Sequence, residues 1–300
     1  MFIVGNPQGK RLTNLADIVS LMFPKSFSVQ HETTGSRIHA RIEEVKDYLR
    51  KFDGVLVAFS GGVDSSVLTA LAYQALGIRS IAVTAQSQTL PGRELESAKR
   101  TAKDIGIRHI VIPYNELDEP GFAQNPVDRC YHCKTGLFRA LGALADELGF
   151  AAVADGTNAS ELTGHRPGHM AAIEQHILTP FADMGITKDE IRQMGRSLGL
   201  DAWDKPSQAC LSSRFPYGNI ITEEGLKQVE QAEEILIDLG IEQYRVRHHG
   251  DIARIEVPEL YFSRIMDNKD TIIIRFKELG YTYITLDLEG FRSGSFDVSI

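Results

Sequence analysis

The sequence predicts an α/β protein built on a doubly wound, mostly parallel sheet, with a smaller α+β domain at its C-terminal end. The first observation is an alternation of short β-rich runs with helical patterns, and four runs predict strands, at residues 54–59, 80–84, 109–113 and 151–154. The second is that these runs are apolar almost throughout, which is typical of strands covered by helices on both faces. Ligands of such sheets lie beyond the C-terminal ends of the strands, so we expect the functional site at that edge.

Composition and charge exclude several classes of protein. The 300 residues are 43% apolar and 24% charged, as in a globular chain rather than a collagen-like or disordered one. With 32 basic and 40 acidic residues the net charge is −8, so no nucleic acid is expected as a partner. No apolar run reaches the roughly 18 residues of a membrane span, and the N-terminus lacks a signal-peptide pattern. We therefore expect no membrane association and a cytoplasmic location.

The N-terminal two-thirds of the chain divides into two predicted parts. Residues 1–38 form an extension that fits neither domain, either an arm that packs on another subunit or a loose segment. Residues 39–214 form the domain of the parallel sheet. Within it, Thr187 and Glu190 predict a capping box that opens a further helix.

The C-terminal domain, residues 215–300, begins with a turn-forming Pro-Tyr-Gly sequence. Its apolar spacing predicts a helix, a pair of strands, further helical segments and a final strand, which makes a compact α+β unit. The predicted ranges are about 222–239 for the helix, 244–248 and 253–257 for the pair, helical segments to about 279, and 281–288 for the last strand.

A glycine-rich turn joins the first predicted strand to the next helix. Backbone N–H groups at such a turn, together with the helix N-terminus, form an anion cradle that larger side chains would block. We predict a nucleotide-phosphate site in which two hydroxyl groups donate to the phosphate and the carboxylate binds Mg²⁺. The alternative is an ordinary strand-to-helix turn with an aspartate N-cap. The predicted ligands are Ser60, Gly61, Gly62, Asp64 and Ser65.

The chain has three cysteines, an odd number without an export signal, which favours ligand or redox chemistry over disulfides. Cys130 and Cys133 lie at the start of a helical pattern, where positions i and i+3 share a face, so both sulfurs can reach one metal ion or cluster. Cys210 lies much later, in a loop-forming segment. Three interpretations stay open: a structural zinc completed by an unidentified histidine, a dithiol with an unrelated Cys210, and a [4Fe–4S] cluster held by three thiolates with one bare iron.

Polar residues follow the fourth predicted strand. Asp155 and Gly156 predict a loop that contacts nucleotide or metal, and a plain Asp-Gly turn is the alternative. A little further on, Arg166 in a His-Arg-Pro-Gly-His segment is a candidate anion contact.

Arginines alternate along the strand pair of the C-terminal domain. Arg245, Arg247 and Arg254 favour a pocket for an anionic small molecule, because arginine binds carboxylate and phosphate bidentately. A salt-bridged surface with Glu256 and Asp287 fits the same pattern equally well.

Seven segments of the chain resemble the LarE family, ATP-dependent sulfur transferases of nickel-pincer cofactor biosynthesis within the PP-loop ATP pyrophosphatase superfamily. The glycine-rich turn alone is typical of the whole superfamily, whereas the C-terminal segments are specific to the family. The segments are SGGVDSS at 60–66, RCYHCK at 129–134, DGTN at 155–158, RPG at 166–168, CLSSRFPYG at 210–218, RVRHHGDIARIEV at 245–257 and YITLDLEGFRSGS at 283–295.

This resemblance implies a fold, an activity and a set of ligands. The fold is an adenine nucleotide alpha hydrolase-like one of the HUP type, and ATP and Mg²⁺ bind at the glycine-rich turn. The activity is adenylation of a carboxylate of pyridinium-3,5-biscarboxylic acid mononucleotide with release of pyrophosphate, followed by conversion to a thiocarboxylate. The residues on the substrate side are Arg214, Arg245, Arg247, Arg254 and Glu256.

The cysteines are similar to those of one type within the family. Some members have a single cysteine, near position 210, and sacrifice its sulfur. The addition of Cys130 and Cys133 resembles the three-cysteine type, which implies a [4Fe–4S] cluster, catalytic transfer and an external sulfur donor. We also expect a homo-oligomer. The first 38 residues and the C-terminal tail have no counterpart in the resemblance.

Two alternative functions remain at this point. One is a tRNA-thiolating enzyme of the same superfamily, which also combines such a turn with cysteines. The other is a non-catalytic nucleotide-binding protein whose cysteines hold structural zinc.

Overall fold

Four parallel strands form the central sheet of the larger domain. The computed structural model describes residues 26–162, 167–206 and 208–292. The sheet has the order β3-β2-β1-β4, which confirms the predicted α/β fold. Because the order reverses between β1 and β4, a ligand site is expected in the crevice at their C-terminal ends. The strands are β1 (Val55–Ala58), β2 (Ser80–Gln86), β3 (Arg108–Pro113) and β4 (Ala152–Ala154).

Helices cover both faces of this sheet, as the apolar strands predict. Val55 and Val57 lie in one buried apolar cluster and Leu56 in another, because successive side chains of a strand point to opposite faces. Within the described ranges, no helix is long and apolar enough to cross a membrane. The helices are α1 (Ser26–Leu49), α2 (Val63–Leu76), α3 (Gly92–Ile105), α4 (Arg129–Leu148), α5 (Pro167–Glu174), α6 (Pro180–Asp183) and α7 (Lys188–Ser197). Single 3-10 turns lie at Gly77–Arg79, Glu116–Asp118, Ala159–Glu161, Asp201–Asp204, Leu211–Arg214 and Glu259–Tyr261.

Helix α1 crosses the predicted boundary at residue 38. Ile38, Ile42, Val45 and Leu49 of this helix are buried in the cluster that contains Val55 of the sheet. Their spacing places them on one face of the helix. This face packs the end of the predicted extension against the larger domain. Residues 1–25 lie outside the described residues.

A three-stranded sheet forms the C-terminal domain. Strands β5 and β6 pair antiparallel, and the last strand, β7, pairs parallel with β6. Thr222 caps the first helix by accepting from the backbone N–H of Gly225 at 3.1 Å. The elements are α8 (Glu223–Asp238), β5 (Arg245–His249), β6 (Ile252–Glu256), α9 (Phe262–Asp267), α10 (Lys269–Glu278) and β7 (Tyr283–Leu286).

An apolar cluster joins the two domains. Phe122 and Leu211 of the larger domain pack with Phe215, and with Leu226 and Val229 of α8. All five side chains are buried, so the two domains share packed core at their junction, while residues 218–220 of the connecting segment are exposed. The predicted boundary at residues 214 and 215 lies inside this cluster.

Candidate active site

The predicted anion cradle is the turn between β1 and α2. Gly61 has a φ of +72°, and a Cβ there would lie 2.8 Å from the Cβ of Ala98, so a side chain would be strained at this position. Ser65 Oγ donates to the carbonyl of Gly62 at 3.1 Å, and Ser60 Oγ lies 3.1 Å from Ser65 Oγ. These contacts close the turn at the start of α2, where backbone N–H groups and the helix dipole favour an anion.

Asp64 is held by side chains from two other elements. Lys188 Nζ donates to Asp64 Oδ2 in close contact, and Asn158 Nδ2 donates to Asp64 Oδ1 at 3.2 Å. The same amide donates to Glu161 Oε1 at 2.7 Å, so two carboxylates meet one buried amide. The Oδ1 of Asn158 is buried and has no hydrogen-bond partner among the described residues. Two carboxylates and an amide oxygen are the hard ligands that Mg²⁺ prefers.

The loop after β4 contacts the cradle and carries a half-buried ion pair. Lys134 Nζ donates to Asp155 Oδ1 at 3.1 Å and to Thr157 Oγ1 at 3.3 Å. Burial alone would raise the pKa of Asp155, but Lys134 and Thr157 outweigh it and hold this pKa below its usual value. Burial likewise disfavours the charged lysine, but Asp155 outweighs it and raises the pKa of Lys134. A Cβ on Gly156 would lie 2.9 Å from the backbone nitrogen of Ser65, so this glycine allows the close approach.

The cradle and the β4 loop line one cavity of about 370 Å³. Three lysines reach it, and each is paired with a carboxylate: Lys134 with Asp155, Lys188 with Asp64, and Lys205 with Glu94 at 2.7 Å. Cations gathered around a helix N-terminus suit a polyphosphate. These lysines carry no sequence pattern that predicts a site, although Lys188 directly follows the capping Thr187 and Lys134 directly follows Cys133.

Of the three cysteines, Cys210 lines this cavity. Cys130 and Cys210 are exposed, and Cys133 is half-buried. Desolvation raises the pKa of Cys130. Cys210 raises this pKa further, while Arg129 and Lys134 oppose the change. Burial raises the pKa of Cys133, and Glu116, Cys210 and Cys130 add to the increase. No three Cys, His, Asp or Glu side chains of the described ranges form a ready-made metal site.

A chain of hydrogen bonds links Cys133 to the segment that carries Cys210. The Cys133 thiol donates to Glu116 Oε1 at 3.5 Å, and Thr89 Oγ1 donates to Glu116 Oε2 at 2.5 Å. The backbone N–H of Leu211 donates to the carbonyl of Thr89 at 3.0 Å. Glu116 also lines the cavity, so this chain follows the cavity wall.

Arg214 lies beneath Cys210 rather than at the cavity surface. It is 1% exposed, and its Nε and Nη2 each donate to Glu233 at 2.8 Å. Its Nη1 donates to the carbonyls of Ala209 and Cys210 at 2.7 and 3.0 Å. In this arrangement Arg214 orients the backbone that presents Cys210, and its direct contact with a substrate stays a prediction.

Replacement of Arg214 by methionine tests this structural role. We expect Arg214→Met to lower the free energy of unfolding by about 3–5 kcal/mol, because it leaves Glu233 charged and buried without its partner. Chemical denaturation measures the change. Lys227→Met, which removes the lysine of an exposed pair with Glu223 at 2.6 Å, is the control and should change stability little. Equal effects of the two substitutions would contradict this role for Arg214.

The arginines of the β5–β6 pair bind carboxylates of their own domain. Arg247 Nη2 and Arg254 Nη2 donate to the two oxygens of the buried Glu256, at 2.8 and 2.9 Å. Arg254 also lies 3.6 Å from Asp287, so these residues form the salt-bridged arrangement that was the alternative interpretation. Desolvation, with Arg214 nearby, lowers the pKa of Arg245 to about 10.

These arginines are connected to the cavity through the Cys210 segment. Arg247 Nη1 donates to the carbonyl of Ser213 at 2.8 Å, and Arg245 Nη1 lies 3.5 Å from Gln208 Oε1. Gln208 lines the cavity, whereas the arginines do not. Their contact with a substrate stays a prediction. Arg166 lies outside the described residues.

Fold and cavity together fit one class of protein, the α/β proteins of the PP-loop ATP pyrophosphatase superfamily, and the predicted cradle lies at the reversal point of the sheet. Residues 42–121 match the asparagine synthase family. The chain is 35% identical to the pyridinium-3,5-bisthiocarboxylic acid mononucleotide synthase of Lactiplantibacillus plantarum, over 82% of this chain and 90% of that protein. It therefore belongs to the LarE family of sulfur transferases, as the sequence segments predicted.

Two further relatives widen the comparison. An uncharacterised protein of Synechocystis is 42% identical over 86% of this chain and 97% of its own length. The tRNA-specific 2-thiouridylase MnmA of Rickettsia felis is 31% identical over 73% of this chain and 72% of its own length.

Proposed function

We propose that this protein adenylates a carboxylate of pyridinium-3,5-biscarboxylic acid mononucleotide and converts it to a thiocarboxylate. The observation that carries the proposal is that Cys210 and the phosphate cradle line one cavity. A nucleotide bound in the cradle would therefore have a sulfur group in the same cavity. The similarity to the Lactiplantibacillus synthase supports the choice of substrate.

Adenylation is the first step. A carboxylate oxygen attacks the α-phosphorus of ATP, the bond from that phosphorus to the oxygen bridging to the β-phosphate breaks, and pyrophosphate leaves with the electron pair. Lys188, Lys205 and the N–H groups of the cradle bind the phosphates. Asp64 and Glu161 would hold Mg²⁺, which offsets the charge of the leaving group. The step gives the acyl carbon AMP as a good leaving group.

Sulfur transfer is the second step. A sulfur nucleophile attacks the activated acyl carbon, a carbon–sulfur bond forms, and the carbon–oxygen bond to AMP breaks as AMP leaves with the electron pair. The nucleophile is sulfide from an external donor, which keeps its oxidation state throughout, and Cys210 would help to hold it beside the acyl carbon because this thiol is exposed in the cavity wall. We propose that Cys130 and Cys133 serve delivery from an external sulfur donor.

We propose further that the three cysteines hold a [4Fe–4S] cluster. The donor set fits, because all three cysteines are free and thiolates are the ligands that hold such clusters. When bound, such a cluster supplies one iron without a protein ligand, where an external sulfide can be held. Convergence of the three thiols on one centre is part of the proposal.

Anaerobic purification followed by iron and sulfide analysis tests the cluster. We expect about four iron and four sulfide per chain in the unsubstituted protein, the content of a [4Fe–4S] centre. Cys130→Ala and Cys133→Ala should lose both elements. Zinc in place of iron would contradict the cluster and favour the structural-zinc alternative. Pyrophosphate release on addition of the carboxylate substrate tests adenylation in the same preparation.

A second candidate function is thiolation of tRNA, which the similarity to the Rickettsia 2-thiouridylase favours. The net charge of −8 argues against it, because tRNA binding requires many cationic contacts with phosphate. A tRNA gel-shift at two salt concentrations separates the candidates. Tight binding that weakens steeply with salt would favour the tRNA enzyme.

We also propose that the protein acts as a homo-oligomer. Apolar side chains of the C-terminal domain are exposed, among them Leu260 at 75% and Ile274 at 59%. Such side chains are typical of surfaces that associate. Size-exclusion chromatography with light scattering measures the assembly state.

A further inference from the structure

One buried residue fastens the start of α4 to the segment that follows Cys210. Asn125 is 0% exposed and has a φ of +53°. Its Nδ2 donates to the carbonyl of Phe215 at 3.2 Å and to that of Pro216 at 2.7 Å. Its own carbonyl accepts from the backbone N–H of Gly218 at 2.9 Å. Three hydrogen bonds thus connect a turn of the larger domain to the residues at which the chain enters the C-terminal domain.

The same side chain fixes the residue next to Cys130. Arg129 Nη1 donates to Asn125 Oδ1, and the Arg129 guanidinium lies 5.1 Å from the centroid of the Tyr217 ring. Arg129 is 7% exposed, so this cation–π contact is largely shielded from water. Since Arg129 begins α4, holding its side chain also holds the helical turn that carries Cys130 and Cys133.

We propose that Asn125, Arg129 and Tyr217 form a clamp of positioning residues that sets the distance between the Cys130–Cys133 pair and Cys210. One side of the clamp adjoins Cys130 in the chain. The other side belongs to the continuous segment 210–218, which begins with Cys210. The inference rests on the proposed function, in which the three sulfurs act at one place.

Besides the clamp, these parts are joined by apolar packing, by the hydrogen-bond chain through Glu116, and by the N–H of Ile221, which donates to the carbonyl of Ala123 at 2.8 Å. The cluster around Phe122, Leu211 and Phe215 holds the domains together, but apolar burial is non-directional and tolerates small displacements. Hydrogen bonds to two successive carbonyls fix both distance and angle. The left-handed backbone of Asn125, which asparagine tolerates better than most residues, turns the chain so that its amide reaches them.

Thiol cross-linking tests the clamp without using the reaction. Cys133→Ser leaves Cys130 and Cys210 as the two thiols of the chain, and dibromobimane joins neighbouring thiols with a gain in fluorescence. In this background we compare Asn125→Gly, which keeps the left-handed backbone, and Asn125→Asp, which keeps the acceptor for Arg129 but loses both donors. Gln124→Ala, which changes the exposed neighbouring side chain, is the matched control.

We expect both Asn125 variants to cross-link about tenfold more slowly than the background. The loss of about one net hydrogen bond lowers the population of the held position by roughly this factor. Gln124→Ala should cross-link at the background rate, and each added substitution should leave pyrophosphate release at the level of the Cys133→Ser background. If Asn125→Gly does not fold, Tyr217→Leu removes the ring on the other side of the clamp and should give the same slowing.

Two results would overturn the inference. Equal cross-linking rates in the Asn125 variants and the background would remove the clamp while leaving the proposed function intact. An absence of cross-linking in the background itself would overturn both the clamp and the shared sulfur site. The two failures are therefore distinguishable.

Discussion

Cys210→Ala is expected to abolish sulfur transfer while pyrophosphate release continues. The thiol lies in the wall of the cavity that contains the predicted cradle, whereas the groups proposed to bind phosphate belong to other elements. Its removal therefore takes away the sulfur step and leaves the adenylation step. Thiocarboxylate product and pyrophosphate, measured in one reaction mixture, report the two steps separately.

Cys210→Ser is the matched control for size and polarity. Because Cys210 Sγ lies 2.9 Å from Ser212 Oγ, a hydroxyl in its place can keep this contact without supplying sulfur. Both variants should therefore have the same defect. Multiple turnovers of sulfur transfer in either variant would refute the assignment of Cys210.

Asp64→Asn should reduce pyrophosphate release on the order of a hundredfold, the scale of losing one preorganised charge contact in a catalytic site. The substitution preserves shape but removes the negative charge that Lys188 contacts and that would bind Mg²⁺ beside Glu161. Initial rates of pyrophosphate release over a range of Mg²⁺ concentrations measure the effect. A higher Mg²⁺ requirement together with a lower maximal rate is the expected pattern.

Asp53→Asn is the charge-matched control. Asp53 precedes β1 at the opposite end of the sheet, and its side chain is 90% exposed in a pair with Arg79. The variant should release pyrophosphate at the normal rate. Thermal unfolding of both variants checks that the fold is retained. An unchanged rate in Asp64→Asn would remove Asp64 from the Mg²⁺ site.

The elements were predictable where the local pattern and the tertiary environment agree. The apolar runs became parallel strands, and Thr187 caps α7 in the predicted box with Glu190. The exception is α1. The domain was predicted to begin at residue 39, but Ile38 already belongs to the buried face of this helix. One helix face carries a weaker local signal than a continuous apolar strand, because most of its residues are polar.

The candidate site was predictable only in part. The glycine-rich turn was recognisable because an anion cradle needs small residues at consecutive positions. Gly61 shows why: its φ is positive, and a Cβ there would collide with Ala98. The pairing of Lys205 with Glu94 and of Lys188 with Asp64 was not predictable, since these partners are far apart in the chain. A lysine has no local pattern that distinguishes a cavity position from a solvated one.

The residue types and their spacing alone predict a parallel α/β protein with a glycine-rich anion turn and three cysteines, because those features are local and chemical, whereas membership of the LarE family rests on similarity to a known relative. Only the tertiary structure decides that Cys210 lines the cavity of the cradle, that Arg214 is buried under Cys210, and that Asn125 joins the two cysteine segments. The reason is physical: these relations depend on which distant segments pack together. Apolar contacts decide that packing, and because they are non-directional, no local sequence pattern identifies the partner of a given segment.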